Sequence, residues 1–543
     1  MRPAEVAVVI RSFDRRDLLP RAVASALQQT VPAGEILVVD DGSSDGTAEW
    51  VRAQSTECPN LRLLSLAERQ GAAAAANAGL AATAGDFIAF LDSDDEWHPR
   101  FLELSLAALG EEGGAVAYCD FTQVWDEFGL ERLVRLPFPE DQRRAMLLAP
   151  FIPCLSLALL RRQAVETAGG FDAGLGVASD LDLLGRLALG RPEAFCAVPL
   201  ALARRHLHRG NLLRDGALWQ REMLAVTDRL FHDPRTAAYA ALLPQARDRI
   251  VARAGAADAQ RARLAAPGRR VVSAVIVTRN RRALLERAIA SVDRQQDRPR
   301  EIVVVDDGSE DDTAAWLAGL KRPDLFSLRV PNSVGIATAR NLGWRAARGE
   351  IIAMLDDDDE WLPDYLTSVV RAFALTPEPL YVYADCYHRR PGETKASQRI
   401  YHAGAQLYPD LVTQLLLLPV PVSSTLFAVS RERLERIGGY DERFLRCEDA
   451  DLYLRLAASE GQATPVHIAR PLALRLIHDM GRDAQATARA NLRFHRLRLD
   501  SFFASAAGAP YRSLAEQAWR TISEAAGRYQ AHYGDVTPPT AAP

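Results

Sequence analysis

The chain repeats itself, and that repetition limits its architecture more than any other feature of the sequence. EILVVDDGSSDGTAEW at Glu35–Trp50 returns as EIVVVDDGSEDDTAAW at Glu301–Trp316, and GDFIAFLDSDDEWHP at Gly85–Pro99 returns as GEIIAMLDDDDEWLP at Gly349–Pro363. Further on, GGFDAGLGVASDLDLLGRLA at Gly169–Ala188 matches GGYDERFLRCEDADLYLRLA at Gly438–Ala457, and PLALARRH at Pro199–His206 matches PLALRLIH at Pro471–His478. Order and spacing are kept. Each copy covers about 200 residues, too long for a solenoid unit and the length of a complete domain. A chain of 543 residues therefore reads as two whole domains in tandem rather than one large core.

Within each copy, short β-branched runs such as Val6–Ile10, Ile36–Val39 and Phe87–Leu91 alternate with helix-length amphipathic segments such as Asp17–Gln29. That alternation predicts an α/β fold with a mainly parallel, doubly wound sheet, in which ligands bind beyond the carboxyl ends of the strands where strand order reverses. The boundaries read as a first domain over 1–230, an Ala/Arg-rich helical linker over 231–270 closed by Pro267-Gly268, a second domain over 271–481, and a helical C-terminal extension and tail over 482–543.

Composition excludes several partners. A net charge of −5 supplies no basic field for a phosphate backbone, so nucleic acid is not expected. The N-terminal apolar stretch is interrupted by Arg11 and Asp14 and reads as a first strand, not a signal; the most apolar segment, Leu411–Val429, contains Pro419, Pro421 and Gln414 and reads as buried protein, not a transmembrane segment. The six cysteines show neither metal-ligand nor disulfide spacing, which fits a cytoplasmic protein. Peripheral contact with the inner face of the membrane, through the Arg-rich C-terminal extension, is compatible with this composition.

Two acidic motifs carry the chemistry. VVDDGS ends a buried strand in two carboxylates, Asp40 and Asp41 in the first copy and Asp306 and Asp307 in the second. A carboxylate there can accept hydrogen bonds from a nucleobase or ribose, or it can simply cap the next helix. A phosphate-receiver acid pair would need a nearby lysine after a strand, and neither Lys321 nor Lys395 is so placed. The second motif, Asp92-Ser93-Asp94-Asp95 and Asp356-Asp357-Asp358-Asp359, closes another apolar strand before Glu-Trp-x-Pro. Carboxylates so close repel one another, and Mg²⁺ or Mn²⁺ bound also to substrate phosphates would relieve that repulsion.

Taken together, the first strand, VVDDGS, the N-x-G segment, LDxDD and the late acidic motif, in that order, resemble a family-2 glycosyltransferase of the GT-A fold, once over Val6–Asn211 and again over Val272–Gly481. The resemblance implies two tandem GT-A-type, Rossmann-like domains that transfer a sugar with inversion from a nucleotide-diphospho sugar to a saccharide, lipid-linked or protein-linked glycan acceptor. It implies a divalent metal (Mn²⁺ or Mg²⁺) on the donor diphosphate, held by Asp94 and Asp358. Asp40, Asp41, Asp306, Asp307, Asp92, Asp356, Arg340 and Asn341 fall where the family contacts the donor. The general base falls at Asp449 with Glu448, and at Asp180 in the first copy. His206 and His478, equivalent after PLAL, fall where a histidine helps hold metal or diphosphate, with His208 a competing choice in the first copy.

The first copy departs from the pattern twice. Ser179 replaces the Glu of the late acidic pair, and Ala76 stands where the second copy has Arg340. Because Asp40, Asp92, Asp94 and Asp180 survive, both copies are expected to be active, in surface polysaccharide or glycan synthesis. One alternative leaves only the second domain catalytic, with the first a glycan-binding or assembly module; another makes the whole chain a non-catalytic nucleotide-sugar or carbohydrate-binding protein. The segments Asp120–Pro153 and Asp385–Pro421 differ most between copies and are expected to shape the acceptor sites.

Overall fold

The computed structural model describes residues 6–190, 194–208, 216–268, 270–389, 397–399, 408, 410–417, 423–461, 463–476 and 484–533. It divides into two compact units, one of residues 6–127 and 133–261, the other of residues 128–132 and 262–533. Each is α/β with a mainly parallel sheet, as the repeat predicts.

In the first unit the strands lie in the order Leu61–Ser65, Glu35–Asp40, Val6–Ser12, Phe87–Asp92, Ala158–Arg161, Val116–Trp125, Phe195–Leu207, Glu96–Trp97. The second unit uses the same order: Leu325–Val330, Glu301–Asp307, Val272–Thr278, Ile351–Asp356, Ala428–Ser430, Val382–Arg389, Val466–Leu476, Glu360–Trp361. The leading four strands of each are parallel, and the inner three of them are nearly wholly buried, which explains their continuous apolar runs. Strand order reverses on either side of Val6–Ser12 and of Val272–Thr278. Both acidic motifs end strands that flank this reversal, so the fold delivers their carboxylates to one edge of the sheet.

Tight packing behind that edge explains the N-x-G segment. A Cβ on Gly79 would lie 2.4 Å from Val9 Cγ1, and one on Gly343 would lie 2.5 Å from Val275 Cγ1. Only glycine lets the helices Ala72–Ala82 and Ile336–Ala346 sit this close to their central strands. Gly343→Ala is therefore expected to cost about 1–3 kcal/mol in urea denaturation through overpacking, and an unchanged unfolding midpoint would contradict it.

Helical segments follow each sheet: Gly216–Phe231 and Leu243–Ala265 after the first, Ala484–Ala504 and Ala515–Tyr533 after the second. Gly216–Phe231 packs on the first sheet's unit, where Glu222 accepts the N–H groups of Gly176, Val177 and Ala178 ahead of the helix Ser179–Gly190. Among the described residues no helix is long and apolar enough to cross a membrane.

Candidate active sites

In the second unit a cleft of about 450 Å³ opens at the switch point, lined among others by Arg340, Asp356, Ser424, Glu448, Asp449 and Arg475. Asp356 ends its strand; Arg340 reaches across from the helix Ile336–Ala346; Glu448 and Asp449 open the helix Glu448–Ser459, behind Cys447 in a left-handed conformation (φ 59°). The acids gather there because the positive end of that helix tolerates them and a buried guanidinium balances them. Arg340 donates to Asp356 Oδ1 at 2.7 Å and to Glu448 Oε1. Burial raises the Glu448 carboxyl to about 7 against the pull of Arg340, with repulsion from Asp449 adding to the rise. Burial raises Asp449 as well, again opposed by Arg340. Among the described residues the Asp449 carboxylate receives one hydrogen bond, from the N–H of Ala450 (2.7 Å). Among the described residues no side chain hydrogen-bonds to it, and it lines the cleft.

The metal-type motif behaves differently within itself. Asp359 turns inward: it accepts from the Thr425 hydroxyl (2.6 Å) and the Leu476 N–H (2.9 Å), and burial, with repulsion from Asp356, raises it to about 7. Asp358 faces Arg281 Nη1 at 3.0 Å. In the first unit the N–H of His206 donates to Asp95 Oδ1 (3.0 Å) as Leu476 does to Asp359, and burial with repulsion from Asp94 and Asp92 raises Asp95 to about 8.

That shared hydrogen bond corrects the pairing of the histidines. The strand ladders match Trp97 to Ala203 and Trp361 to Ala473, so Arg205 corresponds to Arg475 and His206 to Leu476. The PLAL strings are out of register by two residues, a coincidence among repeated Ala and Leu. Counted on this ladder, the first-copy counterpart of His478 is His208; His478 itself lies outside the described residues. His208 Nε2 sits 2.9 Å from Asp94 Oδ2, and this contact holds Asp94 below the usual carboxylate range although burial opposes it. His206 instead meets Asp126 (2.8 Å) and Glu96 (3.2 Å) through its ring.

Three of the expected donor-site residues hydrogen-bond within the chain. Asp41 gives both oxygens to the loop before the next helix, accepting from Gln70 N–H (2.7 Å) and Gly71 N–H (2.8 Å). Asp307 does the same with Val334 N–H and the Ser333 hydroxyl, both at 2.7 Å. Asn341 pairs with both backbone groups of Tyr440, at 2.9 and 2.8 Å, as Asn77 pairs with Phe171. These residues brace the chain: the two acids accept from the loop that leads into the next helix, and the two asparagines satisfy the backbone of buried Tyr440 and Phe171. Asp40 and Asp306 are less committed: each accepts from one backbone N–H, of Ser43 (3.2 Å) and Ser309 (2.9 Å), and the buried Asp306 Oδ2 has no hydrogen-bond partner.

The first unit shows a residue that motif reading missed. Arg11, at the end of the strand Val6–Ser12, donates from Nη2 to Asp92 Oδ1 (2.5 Å) and from Nη1 to Asp180 Oδ1 (2.9 Å). It stands where the second copy has Val277, since Arg11 pairs with Asp92 and Val277 with Asp356 in equivalent ladders. A charged residue closing an apolar strand was the available signal. Arg281, Arg205 and Arg475 were missed too, for they belong to no acidic motif. Asp92, Asp95 and Cys154 also converge, each offering an atom within 4.8 Å of the others. Burial keeps the Cys154 thiol protonated, a poor ligand for a hard cation.

The sequence profile of glycosyl transferase family 2 matches residues 7–169 and again 273–437. The glycosyltransferase AglE of Haloferax volcanii is 36% identical over 110 residues, 20% of this chain and 36% of that protein. An uncharacterized glycosyltransferase of Rickettsia conorii is 23% identical over 472 residues, 83% of this chain and 76% of that one. The succinoglycan biosynthesis protein ExoO of Rhizobium meliloti is 33% identical over 144 residues, 25% of this chain and 41% of its own length. The chain thus spans less than two thirds of AglE and of ExoO.

Proposed function

The chain belongs to glycosyl transferase family 2, and from that premise we propose that its second unit transfers a glycosyl group, with inversion, from a nucleotide-diphospho sugar to a saccharide or glycoconjugate hydroxyl. The observation that carries this reading is the cleft in which Asp449 presents a half-buried carboxylate, with no side-chain hydrogen-bond partner among the described residues, beside Arg340, Asp356 and Glu448. Asp449 takes the proton of the acceptor hydroxyl as that oxygen bonds to the anomeric carbon, and the bond from that carbon to the diphosphate oxygen breaks, its electron pair leaving with the nucleoside diphosphate. Asp306, whose Oδ2 lacks a hydrogen-bond partner and lies 3.6 Å from Arg329 Nε, would accept from the nucleoside. The oxygen-rich, mutually repelling acids fit a hard cation. Asp358, and in the first unit Asp94 with His208, would hold it, and it would offset the charge of the leaving diphosphate.

ExoO's name places it in succinoglycan biosynthesis, and we extend that to this chain as a polysaccharide acceptor. A panel of nucleotide sugars, incubated with enzyme and Mn²⁺ or Mg²⁺, is expected to show release of nucleoside diphosphate from at least one donor, suppressed by EDTA. Silence across the panel together with no donor binding would refute the assignment. A second reading, in which the first unit turns over slowly or serves binding, is favoured by the Arg11–Asp180 contact.

The acidic motif also predicts how stability responds to pH. Asp95, Asp359 and Glu448 hold protons to about 8, 7 and 7 in the folded chain, against about 4 for carboxyls in the unfolded one. Between those limits the folded state binds more protons, so these groups lower stability as pH rises from about 4 to about 8. In EDTA the melting temperature is expected to fall by roughly 5 °C or more between pH 5 and 8, and Mn²⁺ to raise it more at pH 8 than at pH 5. A melting temperature that climbs through this window would contradict the assignment of buried, protonated acids.

A further inference from the structure

Both units place one guanidinium between the acid that ends the fourth strand and the acids that open the late helix, but they draw it from different elements. In the second unit it is Arg340 on the helix Ile336–Ala346, and its partners are Asp356 and Glu448. In the first unit the equivalent helix position is Ala76, the equivalent of Glu448 is Ser179, and the guanidinium is Arg11 on the central strand. The charge is conserved while its origin has moved. The side chain is buried in both cases, Arg11 at 8% exposure and Arg340 at 7%.

The consequence falls on the candidate base. In the second unit Glu448 serves as counter-ion to Arg340, and among the described residues no side chain hydrogen-bonds to Asp449. In the first unit there is no Glu, so Asp180 must be that counter-ion. Its Oδ1 accepts from Arg11 Nη1 at 2.9 Å; its Oδ2 accepts from Arg11 Nη2 at 3.3 Å and from the Leu155 N–H at 3.2 Å. A general base needs a free lone pair aimed at the acceptor proton, and both oxygens are already engaged. Arg11 Nε, meanwhile, is buried without a hydrogen-bond partner, so among the described residues the guanidinium hydrogen-bonds only to its two acids.

We propose that Arg11 is a positioning residue that commits Asp180 as its counter-ion and so holds the first unit at low turnover, and that restoring the second unit's arrangement, with arginine on the helix and glutamate ahead of the base, would release it. This rests on the reading of Asp180 and Asp449 as bases of glycosyl transfer.

The test uses the full chain with Asp449→Asn, which leaves only the first unit to turn over donor. Into it goes the graft Arg11→Val, Ala76→Arg, Ser179→Glu. The kcat for donor consumption is expected to rise at least about tenfold, because a base has been freed. The reciprocal graft in the second unit, Val277→Arg, Arg340→Ala, Glu448→Ser on an Asp180→Asn background, is expected to lower kcat by a similar factor. Retained kcat in the reciprocal graft, or no rise in the first from protein that melts as the parent does, would overturn the proposal. The underlying reading has its own control. If Asp180→Asn with Asp449→Asn turns donor over at the wild-type rate, neither acid is a base and both fall together; if that double variant is inactive yet the grafts change nothing, only the role of Arg11 falls.

Discussion

Asp449→Asn is expected to reduce turnover by the second unit about 10³-fold while leaving donor affinity and fold intact. The substitution is nearly isosteric, and an amide oxygen can still accept the Ala450 N–H that the carboxylate accepts at 2.7 Å. What disappears is the negative charge that takes the acceptor proton. Because Asp449 sits beside buried Glu448, whose carboxyl its repulsion helps to raise, losing that charge should not lower stability. The measurement is kcat and donor KM on an Asp180→Asn background, with a melting curve alongside. A fall in kcat without a fall in melting temperature is the signature of a base; a kcat within about threefold of the parent would exclude Asp449 from the proton transfer.

The second large effect belongs to Arg340. Arg340→Ala removes the guanidinium that donates to both Glu448 and Asp356, and leaves buried Glu448 facing the half-buried Asp356 and Asp449. Breaking a buried pair by removing one partner costs about 3–5 kcal/mol, because the other charge stays desolvated. The cost should depend on pH in a particular direction. Glu448 already holds its proton to about 7, so below that value the orphaned acid is neutral and the defect shrinks; at pH 8 it is fully felt. Denaturant unfolding of the variant and its parent at pH 5.5 and 8 reads this directly. An equal loss at both values would mean that Arg340 acts through packing, for example against the Tyr440 ring 5.7 Å away, rather than through charge.

How much was legible beforehand follows from the range of the interactions involved. Strands such as Val8–Ile10 and Val303–Val305 could be read because a strand buried on both faces must be apolar throughout, whatever surrounds it. The acidic motifs could be placed because they end such strands, and parallel topology puts strand ends together. The loop-bracing roles of Asp41, Asp307 and Asn341 could not be read, since an acid or amide that accepts from a nearby loop carries the same letter as one that faces a ligand.

What the sequence determined by itself was therefore the duplication, the α/β order within each copy and the edge of the sheet where chemistry can occur, all set by local periodicity and by repetition along the chain. Tertiary structure alone decided two matters. One was the register of the last long strand, where the hydrogen-bond ladder matched His206 to Leu476 and set His208 against Asp94. The other was the source of the central guanidinium, supplied by Arg11 in one unit and Arg340 in the other. Both depend on residues far apart in the chain meeting in space, where burial requires a charge to be balanced but does not specify the segment from which the balancing charge must come.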